Sequence, residues 1–415
     1  MKELGMDIEE PVTRFKKTRF ALLWMHLANE PLMALYTLLA FILRKDLGAT
    51  TFQLTVFVTL RPVISFFSFY WSAYLTRKKD KLIPNLTWAW VLGKLPFVFL
   101  PFFSSVWYLI FASALYQLFY RAGTPALMEI MKVNIEKKKR EKLFSYVFLL
   151  CFAESIFLGL FVGKFLDAYP FAWKILFIAT ALISISSVFF QKRIPLPKMI
   201  PDKNPLPKTK SKLIQPWKDC LYLMKTYPDF AKFQWGFMIG GFGLMLIAPA
   251  LAIYFAETLS LSHETIINGR YIWMGFGVLI STFLWRKGIE KYSVKKLTSL
   301  ILIGFGLFPI LLLFAKIDLI FLNLAFLLYG IAQSGSHLLW HLSGTLFASE
   351  DESSLKYTGT NVLMVGLRGL VGPSLGGVLI TVFSPSFVLG LGGVICLFGS
   401  YYMLRTRPLL LKTPA

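Results

Sequence analysis

Charged residues are scarce in this chain. Asp, Glu, Lys and Arg make up 16% of its 415 residues, whereas soluble proteins carry about a quarter. Hydrophobic residues make up 56% of the chain, and the mean hydropathy is +0.61. This balance excludes an ordinary soluble domain and predicts an integral membrane protein.

Cysteine and catalytic motifs are also scarce. The three cysteines, Cys151, Cys220 and Cys396, are far apart and have no metal-ligand spacing, so we expect no disulfide framework, no metal and no cofactor. The sequence contains no His-x-x-Glu-His, no phosphate-binding glycine loop and no nucleophile elbow, so we expect no enzyme. The first 17 residues lack a secretory signal pattern, and we expect them to remain on the mature protein.

What the chain does have is twelve long apolar runs, each near the ~20 residues that a membrane-spanning helix needs. The runs are continuously apolar, without the alternation of barrel strands, so they predict helices and exclude a β-barrel. They lie at 18–43, 51–75, 83–103, 106–130, 143–165, 169–190, 230–257, 265–285, 295–315, 318–347, 357–382 and 386–404. The sequence therefore predicts an all-α protein with twelve transmembrane helices.

The basic residues predict its orientation. If the N-terminus is cytoplasmic, 34 of the 44 Lys and Arg residues fall on the cytoplasmic side. The positive-inside rule then places both termini in the cytoplasm, and we expect a multi-pass protein of the cytoplasmic (inner) membrane. The net charge of +22 is explained by this topology, so we expect no nucleic-acid partner.

A polar segment at 192–229 divides the chain near its middle. Its proline-rich first part predicts an extended linker. Apolar residues then recur at helical spacing among lysines, as is typical of a helix lying on the inner leaflet of the bilayer; they are Leu213, Ile214, Trp217, Leu221 and Met224. A solvated tether without a partner is the alternative.

The two parts on either side of this segment repeat each other weakly. SAYLTRK, from Ser72, matches STFLWRK, from Ser281, and AGTPALME, from Ala122, lies over SGSHLLWH, from Ser334. These offsets place six helices in each half. Two six-helix halves joined by a central linker are typical of transporters with parallel repeats.

At this point the chain resembles the major facilitator superfamily over almost its whole length. Arg77 and Arg286, followed by Lys78 and Lys287, match the basic part of the family's loop motif, whereas Ser72, Ser281, Thr76 and Trp285 replace its glycine and aspartate. The resemblance implies a monomeric, alternating-access transporter in which these four basic residues belong to gating loops. The resemblance also implies that the chain divides into an N-terminal segment (1–17), a first six-helix half (18–191), a linker (192–229), a second six-helix half (230–404) and a C-terminal tail (405–415).

A glycine-rich stretch, GLRGLVGPSLGG at 366–377, looks like the antiporter motif of that family. It lies in the eleventh predicted helix, however, and the family carries the motif in the fifth. Glycines at this spacing let helix backbones approach closely. We therefore expect a packing role and do not infer antiport from it.

Ionisable side chains inside the apolar runs are the candidate functional residues, because a charge at the bilayer centre costs about 2.5–3.5 kcal/mol. These candidates, with the two polar neighbours Asn29 and Trp340, are Glu30, Arg61, Arg121, Glu154, Arg270, His337, His341 and Arg368. Lys94 lies in the third run, which the resemblance implies faces lipid. We expect Lys94 to snorkel toward an interface.

Opposite charges in this setting should pair, and Glu30 with Arg61 and Glu154 with Arg121 are plausible pairs. Each pair is open to three interpretations: a structural bridge, part of the substrate site, or a proton relay. Pro31 directly follows Glu30 and loosens the helix there, which favours a position facing the transport pathway.

Two further features bear on the solute and the coupling ion. Arginines outnumber carboxylates among the candidates, which predicts an anionic solute, unless some arginines contact headgroups or backbone carbonyls. His337 and His341 share a helix face, and they suit proton coupling, a hydrogen-bonded interior or, with no third ligand identified, a metal.

We therefore expect a secondary active transporter embedded in the lipid bilayer, working by symport or antiport with protons. Its solute is a small molecule such as an organic anion or a phosphorylated metabolite. A non-transporting sensor or scaffold with a transporter fold is the alternative, and a channel is disfavoured by the two-half repeat.

Overall fold

The computed structural model describes residues 11–65, 81–103, 105–196, 209–347 and 354–405. The first half of the chain supplies six long helices, and a single helical turn, Val188–Gln191, follows the sixth. These helices are α1 (Pro11–Lys45), α2 (Thr51–Ser65), α3 (Leu82–Val98), α4 (Val106–Asn134), α5 (Lys137–Ala168) and α6 (Trp173–Ser186).

The second half begins after a separate linker helix, Thr209–Thr226. Its long helices are α7 (Pro228–Leu246), α8 (Met274–Lys291), α9 (Val294–Phe314), α10 (Ile320–Phe347), α11 (Ser354–Val382) and α12 (Pro385–Arg405). Four short segments connect α7 to α8. Ala248–Ile253 and His263–Ile267 are α-helical, and Tyr254–Thr258 and Asn268–Trp273 are π-helical.

The all-α membrane fold expected from the sequence is confirmed. Each of the twelve apolar runs coincides with a helix or a string of helical segments, although residues 66–75 of the second run lie outside the described part. Among the described helices, six are long and apolar enough to cross a membrane by length and composition. The linker helix predicted around Trp217 is also present.

Serine side chains accept hydrogen bonds from the first turns of several helical segments. Ser105 accepts a hydrogen bond from the backbone N–H of Tyr108 at the start of α4, and Ser293 does the same for Lys296 at the start of α9. Ser262 likewise accepts from Thr265. These caps satisfy backbone donors that the first helical turn leaves unpaired, so they define where the helices begin.

The chain forms two compact units. Unit 1 contains 1–37, 67–155 and 171–205, and unit 2 contains 38–66, 156–170 and 206–415. In unit 1, α3 packs on α4 and α6, and its core includes Met25, Leu86, Trp90, Ile130 and Met131. In unit 2, α9 and α12 pack together, as do α8 with α10 and α2 with α11.

The glycine-rich stretch of α11 is a packing surface in unit 2. A Cβ added at Gly376 would lie 2.0 Å from the backbone oxygen of Leu246 on α7. A Cβ at Gly377 would lie 2.2 Å from Thr55 on α2. The packing role expected for this stretch is therefore supported by the contacts that it makes.

Candidate functional site

Glu30 lies near the middle of α1, one residue before the proline inside that helix. Pro31 has no backbone N–H, so the carbonyl of Leu27 loses its usual helical donor. The helix is therefore weakest next to the carboxylate. This is the local geometry that the sequence predicted for Glu30.

The carboxylate of Glu30 is bound by α5. Oγ of Ser155 donates to its Oε1 at 2.6 Å, and the thiol of Cys151, one helical turn earlier, also hydrogen-bonds it. Glu154 directly precedes Ser155 on α5, and Oε2 of Glu154 has no hydrogen-bond partner among the described residues. The Glu30 carboxylate is thus held by polar groups of α5.

Asn29 connects the same turn of α1 to two other helices. Its Oδ1 accepts from Oγ of Ser184 on α6 at 3.0 Å, and its side chain also hydrogen-bonds Tyr116 on α4. Asn29, Ser184 and Tyr116 are all buried. Buried polar groups must be paired to be tolerated, so this network fixes the orientation of the turn that carries Glu30.

The interpretation of Lys94 as a snorkelling residue is wrong. Its side chain is buried within unit 1, with 2% of its surface exposed. The ammonium lies 3.4 Å from the centre of the Trp90 ring and 5.7 Å from that of Tyr116. Aromatic faces attract cations, and Nε1 of Trp90 is itself held by the carbonyl of Ser184 at 2.8 Å. The cation therefore adjoins the Asn29 network.

The proposed partnership of Glu154 with Arg121 is not among the ion pairs of the described residues. Arg121 is half-buried on α4, in the same unit. The partners that the structure gives Glu30 are hydroxyl and thiol groups, which stabilise a carboxylate less than a cation would. The pairing of Glu30 with Arg61 stays a prediction.

In unit 2, Arg61 is exposed, and Arg270 and Tyr329 are half-buried. Arg61 directly precedes Pro62 on α2, as Glu30 precedes Pro31 on α1. Arg270 lies in the π-helical segment Asn268–Trp273, which packs on α10, and the charges of both arginines act on the phenol of Tyr329 on α10. π-Helical turns are frequent at functional sites, and guanidinium groups are suited to binding anions.

Arg368 has a different environment. Its Nη1 donates to the backbone carbonyl of Phe237 on α7, and its guanidinium lies against Gly241. This is the backbone-carbonyl alternative that the sequence left open. Arg368 thus helps to hold α11 against α7.

The remaining predicted residues lie on α10, on α8 and outside the described part of the chain. The side chain of His337 is exposed on α10, and those of Arg286 and Lys287 are exposed on α8. Trp340 and His341 lie in α10, but their side chains are outside the described part, as are Arg77 and Lys78 altogether. Among the described residues, no group of three His, Cys, Asp or Glu side chains could hold a metal ion.

A cavity of about 500 Å³ lies between α2 and α11 in unit 2. Its lining contains hydroxyls and apolar groups, including Thr55, Thr59, Ser374 and Thr381. No charged residue lines it. The cavity therefore offers no ion pair to an anion, and none of the predicted candidates belongs to it.

A second polar cluster in unit 2 was missed by the sequence. Nδ1 of His263 lies 2.9 Å from Oδ1 of Asp167, at the end of α5, and its Nε2 lies 3.2 Å from Oδ2 of Asp46, just after α1. The Asp167 and Asp46 carboxylates thus lie on the two different ring nitrogens of His263. The cluster joins the ends of α1 and α5 to the segment between α7 and α8.

Neighbouring residues reinforce this junction. Arg44, in the last turn of α1, forms an ion pair with Glu257 and donates to the carbonyl of Ala49. Lys45 donates to the carbonyl of Leu261. The turn that follows Lys45 contains Gly48, whose φ of +62° is in the left-handed region that favours glycine.

Asp167 lies beyond the predicted span 143–165, and its carboxylate has an unusual environment. Burial by itself raises the pKa of Asp167, but three hydrogen bonds outweigh this effect. They come from the backbone N–H groups of Glu264 and His263, each at 2.8 Å, and from the His263 ring, and they lower the pKa below its ordinary value. The ionised carboxylate is thus part of the folded structure.

Comparison with known proteins decides what this set of helices is. The sequence profile of the Major Facilitator Superfamily matches residues 32–354. The chain belongs to the Major Facilitator Superfamily. It is therefore a multi-pass membrane protein with the transporter fold of that family, and the resemblance found in the sequence is confirmed.

Solved structures of this superfamily are similar along nearly the whole chain. A POT family transporter in complex with 5-aminolevulinic acid has a TM-score of 0.73 at 12% identity, with 96% of each chain covered. The nucleoside transporter NupG has a TM-score of 0.72 at 13% identity, covering 93% of this chain and 99% of that one. A D-xylose-proton symporter has a TM-score of 0.67 at 14% identity, covering 96% and 99%.

These identities support the superfamily fold alone. A comparison with curated protein sequences finds no match. The identity of the solute must therefore be argued from the side chains of this chain.

Proposed function

We propose that this member of the superfamily is a secondary active transporter that carries a small anionic solute and couples its movement to protons. The observation that carries the proposal is the Glu30 carboxylate, hydrogen-bonded by Ser155 at 2.6 Å, with Glu154 next to Ser155 in the sequence of α5. Two carboxylates at membrane depth repel each other, so a state in which one of them holds a proton is favoured. Such a site can take up and release a proton during a transport cycle.

The anionic solute is proposed from unit 2. Arg61 and Arg270 both act on Tyr329, and neither is neutralised by a described ion pair. Guanidinium groups bind carboxylate and phosphate oxygens in a bidentate manner. We assign these two arginines to solute binding and Arg368 to helix packing.

The remaining features of the proposal concern topology and assembly. We propose that both termini are cytoplasmic, that the membrane is the cytoplasmic one, and that the protein acts as a monomer. The six-helix halves 18–191 and 230–404 provide alternating access. Arg77, Lys78, Arg286 and Lys287 act in the loops that gate the cytoplasmic side, and the His263 cluster closes the opposite side.

The test of the solute assignment is a thermal-shift screen of the purified protein against anionic, neutral and cationic metabolites. A solute that binds the folded state raises the unfolding temperature. We expect one class of organic anion to do so. Arg61→Gln and Arg270→Gln should each weaken its binding by about 10–100-fold, because a charge-assisted hydrogen bond contributes about 1.5–3 kcal/mol.

Arg405→Gln is the matched control, since Arg405 ends α12 and contacts only Tyr401 among its described partners. It should leave the affinity unchanged. Stabilisation by neutral solutes, with affinity retained in both arginine variants, would contradict the anion assignment. Uptake of the same solute into proteoliposomes then separates a transporter from a non-transporting sensor, which binds without uptake.

A further inference from the structure

The linker helix Thr209–Thr226 uses one face to attach to unit 2. Cys220 and Leu223 are buried on this face. Cys220 packs with Leu363 and Met364 of α11, and Leu223 packs with Phe230 of α7 and Tyr357 of α11. Phe230 and Tyr357 lie in the first turns of α7 and α11, and Leu363 and Met364 lie about two turns further along α11, so the helix is held along the first three turns of α11.

A second face of the same helix is apolar and exposed. Ile214, Trp217 and Leu221 have 52%, 42% and 60% of their surfaces exposed. Their spacing of three and four residues places them in one row along the helix. The core clusters that the linker helix forms with α7 and α11 contain Cys220, Leu223 and Met224. The exposed parts of Ile214, Trp217 and Leu221 add further apolar surface to the helix.

Lysines border the exposed row on one side. Lys218 follows Ile214 by four residues, and Lys225 follows Leu221 by four residues, and both are exposed. Residues four apart are neighbours on a helix surface. Asp219 is the nearby acidic residue, and its Oδ1 accepts a hydrogen bond from Nε2 of Gln215 at 2.8 Å. The border of the apolar row is therefore positively charged.

An apolar row with tryptophan, bordered by lysines, matches the boundary between lipid headgroups and acyl chains. We propose that this face of the linker helix binds the cytoplasmic leaflet, with Ile214, Trp217 and Leu221 inserted at the boundary and Lys218 and Lys225 bound to anionic phospholipids. The positive border selects anionic headgroups over neutral ones. The inference needs only the membrane topology and does not depend on the proposed solute.

The test uses the full-length protein in nanodiscs of phosphatidylcholine, with or without phosphatidylglycerol. Amide hydrogen exchange of the peptide that covers 209–226 is the measurement. Anionic lipid should slow exchange of this peptide by about 30-fold, because each of the two lysines near an anionic surface strengthens binding about fivefold. Lys218→Gln with Lys225→Gln should remove the slowing, and Ile214→Ser with Leu221→Ser should raise exchange in both lipids.

Lys291→Gln with Lys296→Gln is the matched control, since both are exposed lysines at the turn between α8 and α9. It should leave the slowing intact. Unfolding temperatures in detergent should match the wild type for every variant, which separates loss of lipid binding from misfolding. Equal exchange in the two lipids for the wild type would overturn the proposal. So would protection that depends on protein concentration, because the row would then be covered by a second copy.

Discussion

Nδ1 of His263 lies 2.9 Å from Oδ1 of Asp167, and the same oxygen accepts the backbone N–H of His263 at 2.8 Å. One carboxylate oxygen thus holds both the ring and the main chain of a residue that is 96 positions away. The contact fastens the end of α5 to the segment before α8. It lies on the side predicted to face away from the cytoplasm.

Asp167→Asn should destabilise the protein near neutral pH. Because the pKa of Asp167 is lowered in the folded state, its stabilisation is present above the unfolded-state pKa of about 3.9 and is lost as the pH falls through the lower, folded-state value. We expect the free energy of unfolding of the variant to be about 1–3 kcal/mol lower than that of the wild type at pH 7. Thermal unfolding of both proteins from pH 7 to pH 3 measures the difference.

The difference in stability between Asp167→Asn and the wild type should decrease as the pH approaches 3. Glu136→Gln is the control, since Glu136 pairs only with Lys139 in an exposed contact of 3.0 Å, and such pairs contribute little. A stability gap for Asp167→Asn that stayed constant down to pH 3 would show that its charge is not what stabilises the junction.

Glu30→Gln should uncouple transport from protons. The glutamine oxygen can still accept the hydrogen bond of Ser155, so the geometry of α1 and α5 is kept, but the proton-binding group is lost. We expect counterflow of the solute to continue while accumulation driven by a pH gradient disappears. Uptake into proteoliposomes, with and without a gradient, is the measurement.

Ser155→Ala serves as the companion variant for Glu30. It keeps the carboxylate and removes its 2.6 Å donor, so proton-driven accumulation should persist with a shifted dependence on pH. If Glu30→Gln accumulated solute with an unchanged dependence on pH, Glu30 would have no part in coupling.

Lys94→Met should keep or raise the unfolding temperature. Burying an ammonium group costs several kcal/mol, and the attraction of an aromatic face returns only about 2 kcal/mol. Methionine fills a similar volume without that cost, whereas Lys94→Glu places a charge of the opposite sign over the Trp90 ring and should destabilise the unit. Thermal unfolding in detergent compares the three proteins, and a marked loss in Lys94→Met would point to a stronger partner for the ammonium.

Gly376→Ala should destabilise unit 2, because the added carbon would lie 2.0 Å from the backbone oxygen of Leu246, which has little freedom to move. Gly390→Ala on α12 is the matched control, since its added carbon would meet only a side-chain atom of Leu313 at 3.8 Å. That change should be neutral or stabilising by about 0.5–1 kcal/mol, as expected for alanine in a helix. Similar unfolding temperatures for the two variants would contradict close packing at Gly376.

The fold could be predicted from the sequence because each transmembrane helix can be recognised from its own residues. A run of apolar residues near the bilayer thickness needs no information from the rest of the chain. The linker helix around Trp217 followed from periodicity in the same way, whereas its buried attachment through Cys220 and Leu223 did not. Glycine spacing in α11 indicated close packing, and Gly376 shows it.

The site was less predictable because its contacts join distant positions. Glu30 and Asn29 were identified as polar residues in an apolar run, but their partners Ser155, Ser184 and Tyr116 look like ordinary residues of α5, α6 and α4. Charge counting favoured arginine partners for the carboxylates, and hydroxyl groups are found at Glu30 instead. The sequence showed Lys94 as a charged residue within an apolar run. Only the packing of unit 1 shows that its ammonium lies against the rings of Trp90 and Tyr116.

The His263 cluster was invisible for a related reason. Asp46 and Asp167 lie just beyond the ends of the apolar runs 18–43 and 143–165, where charged residues are expected and do not indicate a site. Only the fold brings them to His263, which itself lies between two runs.

The π-helical segment Asn268–Trp273 has a consequence for how this superfamily diverges. A π turn holds one more residue than an α turn, because its hydrogen bonds close at i+5 instead of i+4. Side chains before and after it are thus out of phase with an ideal helix by one residue. Deleting a single residue there would rotate Arg270 away from Tyr329 without substituting any side chain, so changes of solute preference can arise through insertions and deletions as readily as through point mutations.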